Sequence, residues 1–251
     1  MVDNAVRFGR LSSRPMEEAV IWSNNNCPSS PRFDDVYRSR DAGLLQAQTV
    51  FLGGCQVRQR WCAAPQFCIL ETGFGLGLNF LATWHTWQTD PQHCTRLHYV
   101  AIEAYPVSTA DLLRSAQAIN PPNAALVALA AEFARVWNGL QPGIQHFQFE
   151  DGGVCLTLAI GQVLPMLKQL TCVADAVYLD GFSPAKNPEM WSQPTLEAVA
   201  AHCRPGSALA SYSVAASVRK VLTAAGFAVK RYPGVPPKWQ RLEAQFAPAR
   251  R

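Results

Sequence analysis

From residue 67 onward the apolar positions follow two alternating rhythms. Short continuous apolar runs, bounded by Gly, Pro, Asp or Asn, alternate with longer stretches in which apolar side chains recur every three or four residues. The first rhythm belongs to strands buried on both faces, the second to helices packed along one face. Strands are predicted over 67–71, 97–103, 144–149, 154–160, 175–180, 206–212, 227–232 and 241–246, and helices over 78–88, 106–118, 123–137, 162–170, 194–203 and 214–225. Such alternation predicts a layered α/β fold around a largely parallel sheet. The last two strands flank Pro233-Gly234-Val235-Pro236-Pro237, a connection short enough for a hairpin. An antiparallel pair is therefore expected at one sheet edge.

Ahead of this region the pattern changes. Residues 1–47 are polar and irregular, with Asn24-Asn25-Asn26 and prolines at 28 and 31, and read as an arm or lid. An aromatic and acidic cluster, Phe33-Asp34-Asp35-Val36-Tyr37, stands out within it. Residues 48–62 predict a short antiparallel hairpin, Thr49–Leu52 and Gln56–Trp61 around Gly53-Gly54.

Composition narrows the class. A chain of 251 residues, 49% hydrophobic and 16% charged, can bury one substantial core. It has no apolar run of about 18 residues, so no membrane span is expected, and Met1–Arg7 lacks a signal-peptide core, which points to the cytoplasm. Eight cysteines occur without a CxxC pair and the five histidines are scattered, so no metal site is expected and the thiols read as buried and free. The net charge of +4 is unevenly placed: residues 201–251 hold nine Lys or Arg and one acid, Glu243. A basic end of this kind fits a polyanion such as nucleic acid, or a solvated basic surface.

The chemistry concentrates in three places. Glu71-Thr72-Gly73-Phe74-Gly75-Leu76-Gly77-Leu78-Asn79 lies between a predicted strand and a predicted helix. Glycines there permit a close ligand approach, and the helix start offers free amides, as in nucleotide-type cofactor loops; a tight packing turn is the alternative. Glu103 ends the next strand, where an acid accepts hydrogen bonds from ribose hydroxyls or stabilises a helix start. Asp180 ends the strand Asp175–Asp180, at the carboxyl end where open α/β sheets bind ligands, or caps a structural turn. The loop after it carries Phe182, Lys186 and Trp191.

Taken in order, Phe33–Tyr37, Val50–Gly54, Glu71–Phe80, Leu179–Trp191, Val218–Lys220 and Ala225–Phe227 resemble the methyltransferase domain of MnmC and its stand-alone relative MnmD. The stretch Asp180-Gly181-Phe182-Ser183-Pro184-Ala185-Lys186-Asn187-Pro188-Glu189-Met190-Trp191 is the most specific part of that likeness. The resemblance implies a Rossmann-like S-adenosylmethionine-dependent methyltransferase fold. It divides the chain into an arm and hairpin (1–62), the catalytic domain (63–246) and a basic tail or truncated linker (247–251).

It further implies methylation of the 5-aminomethyl group on the tRNA wobble (2-thio)uridine, with the anticodon stem-loop as partner and no membrane. Glu71, Gly73, Phe74, Gly75, Gly77, Asn79, Glu103, Gln162 and Asp180 would surround the cofactor, Asp180 also being the catalytic carboxylate. Phe33, Asp34, Asp35, Tyr37, Phe182, Lys186, Trp191 and Lys238 would meet the substrate. Three departures from the family stand out. Gly161-Gln162 replaces a Gly-Asp pair, only Gly234 and Lys238 survive of the segment near the end, and no flavin oxidoreductase half follows Arg251. Methylation of another amine, or a silent tRNA-binding module, are the alternatives.

Overall fold

The computed structural model describes residues 17–39 and 42–247. The first part of the predicted arm and nearly all of the basic tail lie outside the described residues.

The arm is not irregular where it is described. Strands β1 (Ile21–Trp22), β2 (Pro28–Ser30) and β3 (Asp35–Val36) form a small antiparallel sheet. It is fastened to the body by Trp22, whose indole donates to Asp111 Oδ1 at 2.6 Å, and by Glu18, whose backbone amide donates to the Pro106 carbonyl at 3.0 Å.

The hairpin expected over 48–62 is absent. In its place α1 (Gly43–Gln46) runs into a wide π-helical turn (Ala47–Gly53), followed by α2 (Val57–Trp61). Two physical reasons account for this. Val50, Phe51 and Leu52 are all buried, which an alternating edge strand cannot achieve. Gly54 sits in the right-handed region (φ −63°), whereas the central residues of a type I′ hairpin turn need positive φ. Its lack of a side chain serves packing instead: a Cβ there would lie 2.2 Å from the Val50 carbonyl and 3.0 Å from Ala210 Cβ.

The remainder alternates as the pattern predicts: β4 (Gln66–Glu71), α3 (Leu78–Thr89), β5 (Arg96–Glu103), α4 (Thr109–Gln117), α5 (Ala124–Trp137), β6 (Gly143–Phe149), β7 (Val154–Ile160), α6 (Val163–Leu167), β8 (Ala174–Tyr178), α7 (Gln193–Ala201), β9 (Cys203–Ser211), α8 (Ala216–Ala224), β10 (Phe227–Val235) and β11 (Lys238–Phe246). The eight-stranded sheet has the order β10-β11-β9-β8-β4-β5-β7-β6. Strands β9, β8, β4, β5 and β7 are parallel. The expected antiparallel pair β10–β11 closes one edge, and β6 adds an antiparallel strand at the other, which the pattern did not reveal.

Each face of the sheet has its own core. One gathers Ile69, Tyr99, Ala101 and Tyr178 under the π-helical turn, α3 and α5. The other gathers Leu70, Val100, Ile102 and Val177 under α6, α7 and α8. The chain moves from β4 to β5 on one side and reaches β8 on the other, so the topological switch point lies at the carboxyl end of β4. Among the described residues no helix is long and apolar enough to cross a membrane.

Candidate active site

A cleft opens at that switch point. It is lined by the loops after β4, β5, β7, β8 and β9, and by Phe33 and Tyr37 of the arm. Its volume is about 190 Å³. One water occupies ~10–15 Å³ by that measure, so the cleft is ligand-sized.

The glycine loop shapes its floor, each glycine in its own way. Gly73 permits two loops to touch: a Cβ there would meet the Asp180 carbonyl at 2.9 Å and Gly181 Cα at 3.0 Å. Gly75 adopts φ +53°, beneath the Tyr37 ring. Gly77 (φ +73°) caps α3 and faces the Phe74 ring, so it packs the loop and does not line the cleft. Phe74 borders the cleft, but its ring is 3% exposed and stacks on Trp137 at 5.5 Å.

Two carboxylates flank this floor. Glu103 accepts the Gly75 amide on Oε2 (2.7 Å) and the Tyr105 amide on Oε1 (2.8 Å). Asp180 accepts the Gly181 amide on Oδ1 (2.8 Å) and the Asn79 side-chain amide on Oδ2 (2.8 Å). Each oxygen keeps further acceptor capacity. Burial raises the pKa of both acids; the backbone amides oppose the rise at Glu103, and the Gly181 amide, Lys238 and Asn79 oppose it at Asp180.

Asn79, in the first turn of α3, spends its other hydrogen on Glu71 Oε1 (2.7 Å). Glu71 was expected at the cofactor, but it does not line the cleft; it is fully buried and also accepts the Tyr99 hydroxyl at 2.9 Å. It is a support behind Asn79. At the far wall Gln162 donates to the Tyr105 hydroxyl at 2.9 Å.

The arm closes on the loop after β8. Phe33 stacks on Phe182 with centroids 4.6 Å apart, and Tyr37 meets the same ring edgewise at 5.0 Å. Asp35 Oδ2 accepts the Ser183 amide at 2.9 Å, and Asp34 pairs with Lys186. Thus Phe33, Tyr37, Phe182 and Lys238 border the cleft, while Asp34, Asp35 and Lys186 clasp arm to loop outside it. Trp191 was expected at the mouth; it is 6% exposed, and its indole supports the loop by donating to the Phe182 carbonyl at 2.8 Å.

Lys238 Nζ lies 3.3 Å from the centre of the Tyr212 ring, whose hydroxyl donates to the Gly181 carbonyl at 2.5 Å. Burial lowers the Lys238 pKa against the pull of Asp180 and Asp35. Tyr105, Tyr212 and Thr72 line the cleft without having been singled out from sequence. Each directly follows or lies near a strand end, the one signal that marks it.

Acids on both flanks of a glycine floor suit a ligand that carries positive charge and hydroxyl donors. Glu103 and Asp180 thus fit a sulfonium nucleoside such as S-adenosyl-L-methionine.

Comparison with known proteins agrees. A family model described as S-adenosyl-L-methionine-dependent methyltransferase matches residues 124–247. The chain is 49% identical over 233 residues to the tRNA 5-methylaminomethyl-2-thiouridine biosynthesis bifunctional protein MnmC of Acidovorax sp. (strain JS42), covering 93% of this chain and 36% of that protein. The protein of the same name from Paracidovorax citrulli (strain AAC00-1) is 50% identical over 234 residues, with the same coverage. The chain therefore spans about a third of the length of these relatives. Among solved structures, MNMC2 from Aquifex aeolicus superposes with a TM-score of 0.70 at 22% identity, over 94% of this chain and 73% of that one, which establishes the shared fold. The chain has the Rossmann-like fold of S-adenosyl-L-methionine-dependent methyltransferases and is similar over 93% of its length to the MnmC proteins.

Proposed function

We propose that the chain transfers a methyl group from S-adenosyl-L-methionine to the 5-aminomethyl group of the tRNA wobble uridine or 2-thiouridine, giving 5-methylaminomethyl-(2-thio)uridine. The observation that carries this reading is the placement of Asp180. Its carboxylate is fixed by Asn79 and the Gly181 amide, beside the glycine floor and within the electrostatic reach of Lys238. The identity of 49–50% with proteins named for this tRNA modification supports the choice of substrate.

The bound cofactor supplies an electrophilic methyl on sulfur. The chain supplies position and charge. Glu103, already oriented by two backbone amides, accepts ribose hydroxyls. A primary amine is protonated near neutral pH and is a nucleophile only once a proton leaves; Asp180 accepts that proton, directly or through water. Phe33, Tyr37 and Phe182 exclude water from the cleft, with the described part of the arm acting as cover and 63–246 as the catalytic body.

An anticodon base must be unstacked to reach Asp180. Trp239, 76% exposed in the β10–β11 hairpin, offers a stacking surface near the mouth residue Lys238. Lys230 and Arg231 on the same hairpin are exposed and hold phosphates of the stem-loop. A flavin oxidoreductase, as a further domain or a separate protein, supplies the 5-aminomethyl substrate, and the enzyme works in the cytoplasm.

The test is methyl transfer to tRNA that carries unmethylated 5-aminomethyl groups, read by nucleoside mass spectrometry, with cofactor binding followed in parallel by calorimetry. Gain of one methyl on the wobble nucleoside is expected. Tight cofactor binding with no methyl gained there would overturn the choice of substrate.

A further inference from the structure

Away from the cleft, a second polar cluster lies on the sheet face that carries α6, α7 and α8, beside β5, β6 and β7. A cavity of about 150 Å³ opens there, lined among others by His98, His146, Thr157, Gln169 and Cys172. Behind Cys172 lies His202, 8% exposed at the end of α7. His202 Nδ1 lies 2.9 Å from the Cys172 carbonyl and Nε2 lies 2.9 Å from the Leu167 carbonyl. Carbonyl oxygens only accept, so both ring nitrogens must carry hydrogen, and a ring with two N–H groups is an imidazolium. A buried cation requires a counter-charge. Cys172 Sγ lies 3.7 Å from Nδ1.

The other groups around the pair are engaged elsewhere. Asp175 on β8 accepts the Cys68 amide at 2.8 Å and pairs with Arg204. His98 on β5 and His146 on β6 both meet Thr157 Oγ1 at 3.0 Å. Cys203 on β9 donates to the Val199 carbonyl. The counter-charge therefore falls to Cys172. Cys68 Sγ on β4 lies 4.0 Å from His98 Nδ1, and His98 and Cys172 line the cavity together; Cys68 and His202 hold the Cys172 pKa down, while Cys172 raises that of His202 to about 9. Cys172 nearby, together with burial, pushes the Cys68 thiol up and keeps it protonated. Among the described residues no group of three or more His, Cys, Asp or Glu has metal-binding geometry, so the cluster reads as thiol chemistry.

The geometry points to Cys172 as a peroxide-reactive thiolate paired with His202, with Cys68 placed to convert its sulfenic acid into a disulfide. The Cys172 sulfur attacks hydrogen peroxide; an S–O bond forms, the O–O bond breaks, and hydroxide leaves as water after taking a proton from His202. Sulfur loses two electrons and peroxide gains them. The Cys68 thiol then attacks the sulfenic sulfur, forming S–S and breaking S–O, and the second oxygen departs as water with the thiol proton. The cavity gives the small oxidant its access.

The full chain is treated with hydrogen peroxide, alkylated without reduction and mapped by mass spectrometry. A Cys68–Cys172 disulfide that dithiothreitol reverses is expected, and Cys68→Ser should stop at a sulfenic acid on Cys172 that a 1,3-dione traps. At pH 7 Cys172 should react about tenfold or more faster than the exposed Cys62, and its alkylation rate should have a midpoint well below the ~8.5 of a free thiol. His202→Gln should raise that midpoint; if the variant fails to fold, the wild-type pH profile decides alone. A Cys172 midpoint at or above the free-thiol value, or a disulfide between other cysteines, overturns the proposal.

Discussion

The sharpest perturbation of the proposed site is a single methyl group at Gly73. A Cβ there meets the Asp180 carbonyl at 2.9 Å, Gly181 Cα at 3.0 Å and Met190 Cε at 3.0 Å, where ordinary contact begins at 3.4 Å. Met190 can turn aside, but the first two are backbone. The loop after β8 must therefore retreat from the glycine loop by ~0.5 Å, a small-to-large strain worth about 1–3 kcal/mol. For a domain of this size that lowers the melting temperature by roughly 2–12 °C. The retreat carries Asp180 with it. Since a misplacement of ~1 Å costs on the order of 10²-fold in rate, Gly73→Ala is expected to lower kcat by about 10- to 100-fold.

Gly77→Ala is the control. Its φ of +73° and the Phe74 ring at 3.1 Å make the substitution costly to the fold, by about 1–2 kcal/mol for the backbone alone. Yet Gly77 does not line the cleft, so the rate per folded molecule should hold. Thermal melting and single-turnover methyl transfer separate the two effects. A Gly73→Ala enzyme with kcat within about twofold of wild type would refute the idea that this close approach fixes Asp180.

Three further outcomes are expected. Asp180→Asn should lower methyl transfer by about 10²- to 10⁴-fold; because burial raises the pKa of Asp180, the wild-type rate should fall with acid at a pH above the ordinary carboxylate range, and a rate that stays flat through that range would count against the base role. Glu71→Gln should flatten the pH dependence of stability: burial and the neighbouring Asp180 raise its folded pKa, so its contribution is whole below the ordinary value of 4.5 and is lost as pH rises through the raised one, which melting curves of wild type and variant across pH 4–9 would reveal. Replacing Lys230 and Arg231 with Ala should weaken tRNA binding and reduce the slope of log affinity against log salt by about 1 for each phosphate the hairpin no longer holds; an unchanged slope would remove this hairpin from the interface.

Most of the architecture was legible because buried strands and amphipathic helices leave distinct periodicities. Thus β5 and β7 sit where their apolar runs do, and the Pro233–Pro237 link does join two antiparallel strands. Legibility failed where the physical cause was not periodic. The Gly53-Gly54 pair mimics a hairpin signal, yet it serves the close approach of a helical turn to β9, a need set by a strand some 150 residues later. The cleft was legible as strand ends. Glu103 and Asp180 were visible there because each closes an apolar run. Glu71 closes one too, but Asn79 turns back over it and seals it, and no spacing rule distinguishes a sealed acid from an open one. Trp191 misled for a related reason: a large aromatic in a chemistry-bearing loop looks like a binding surface until its indole is found beneath the Phe182 carbonyl.

The same sheet thus carries charge at two places by opposite means. At the carboxyl ends, Glu103 and Asp180 each receive backbone amides and stay open to a ligand, so a cationic cofactor would complete their neutralisation. On the flank, His202 gives both of its hydrogens to backbone carbonyls, and among the described residues Cys172 is the group within reach to balance it. Burial makes an unpaired charge costly in either place, so each cluster requires a partner of opposite sign. At the cleft that partner arrives with the ligand; at His202 it is already part of the chain, and its sulfur is left with nucleophilic character that packing alone does not require.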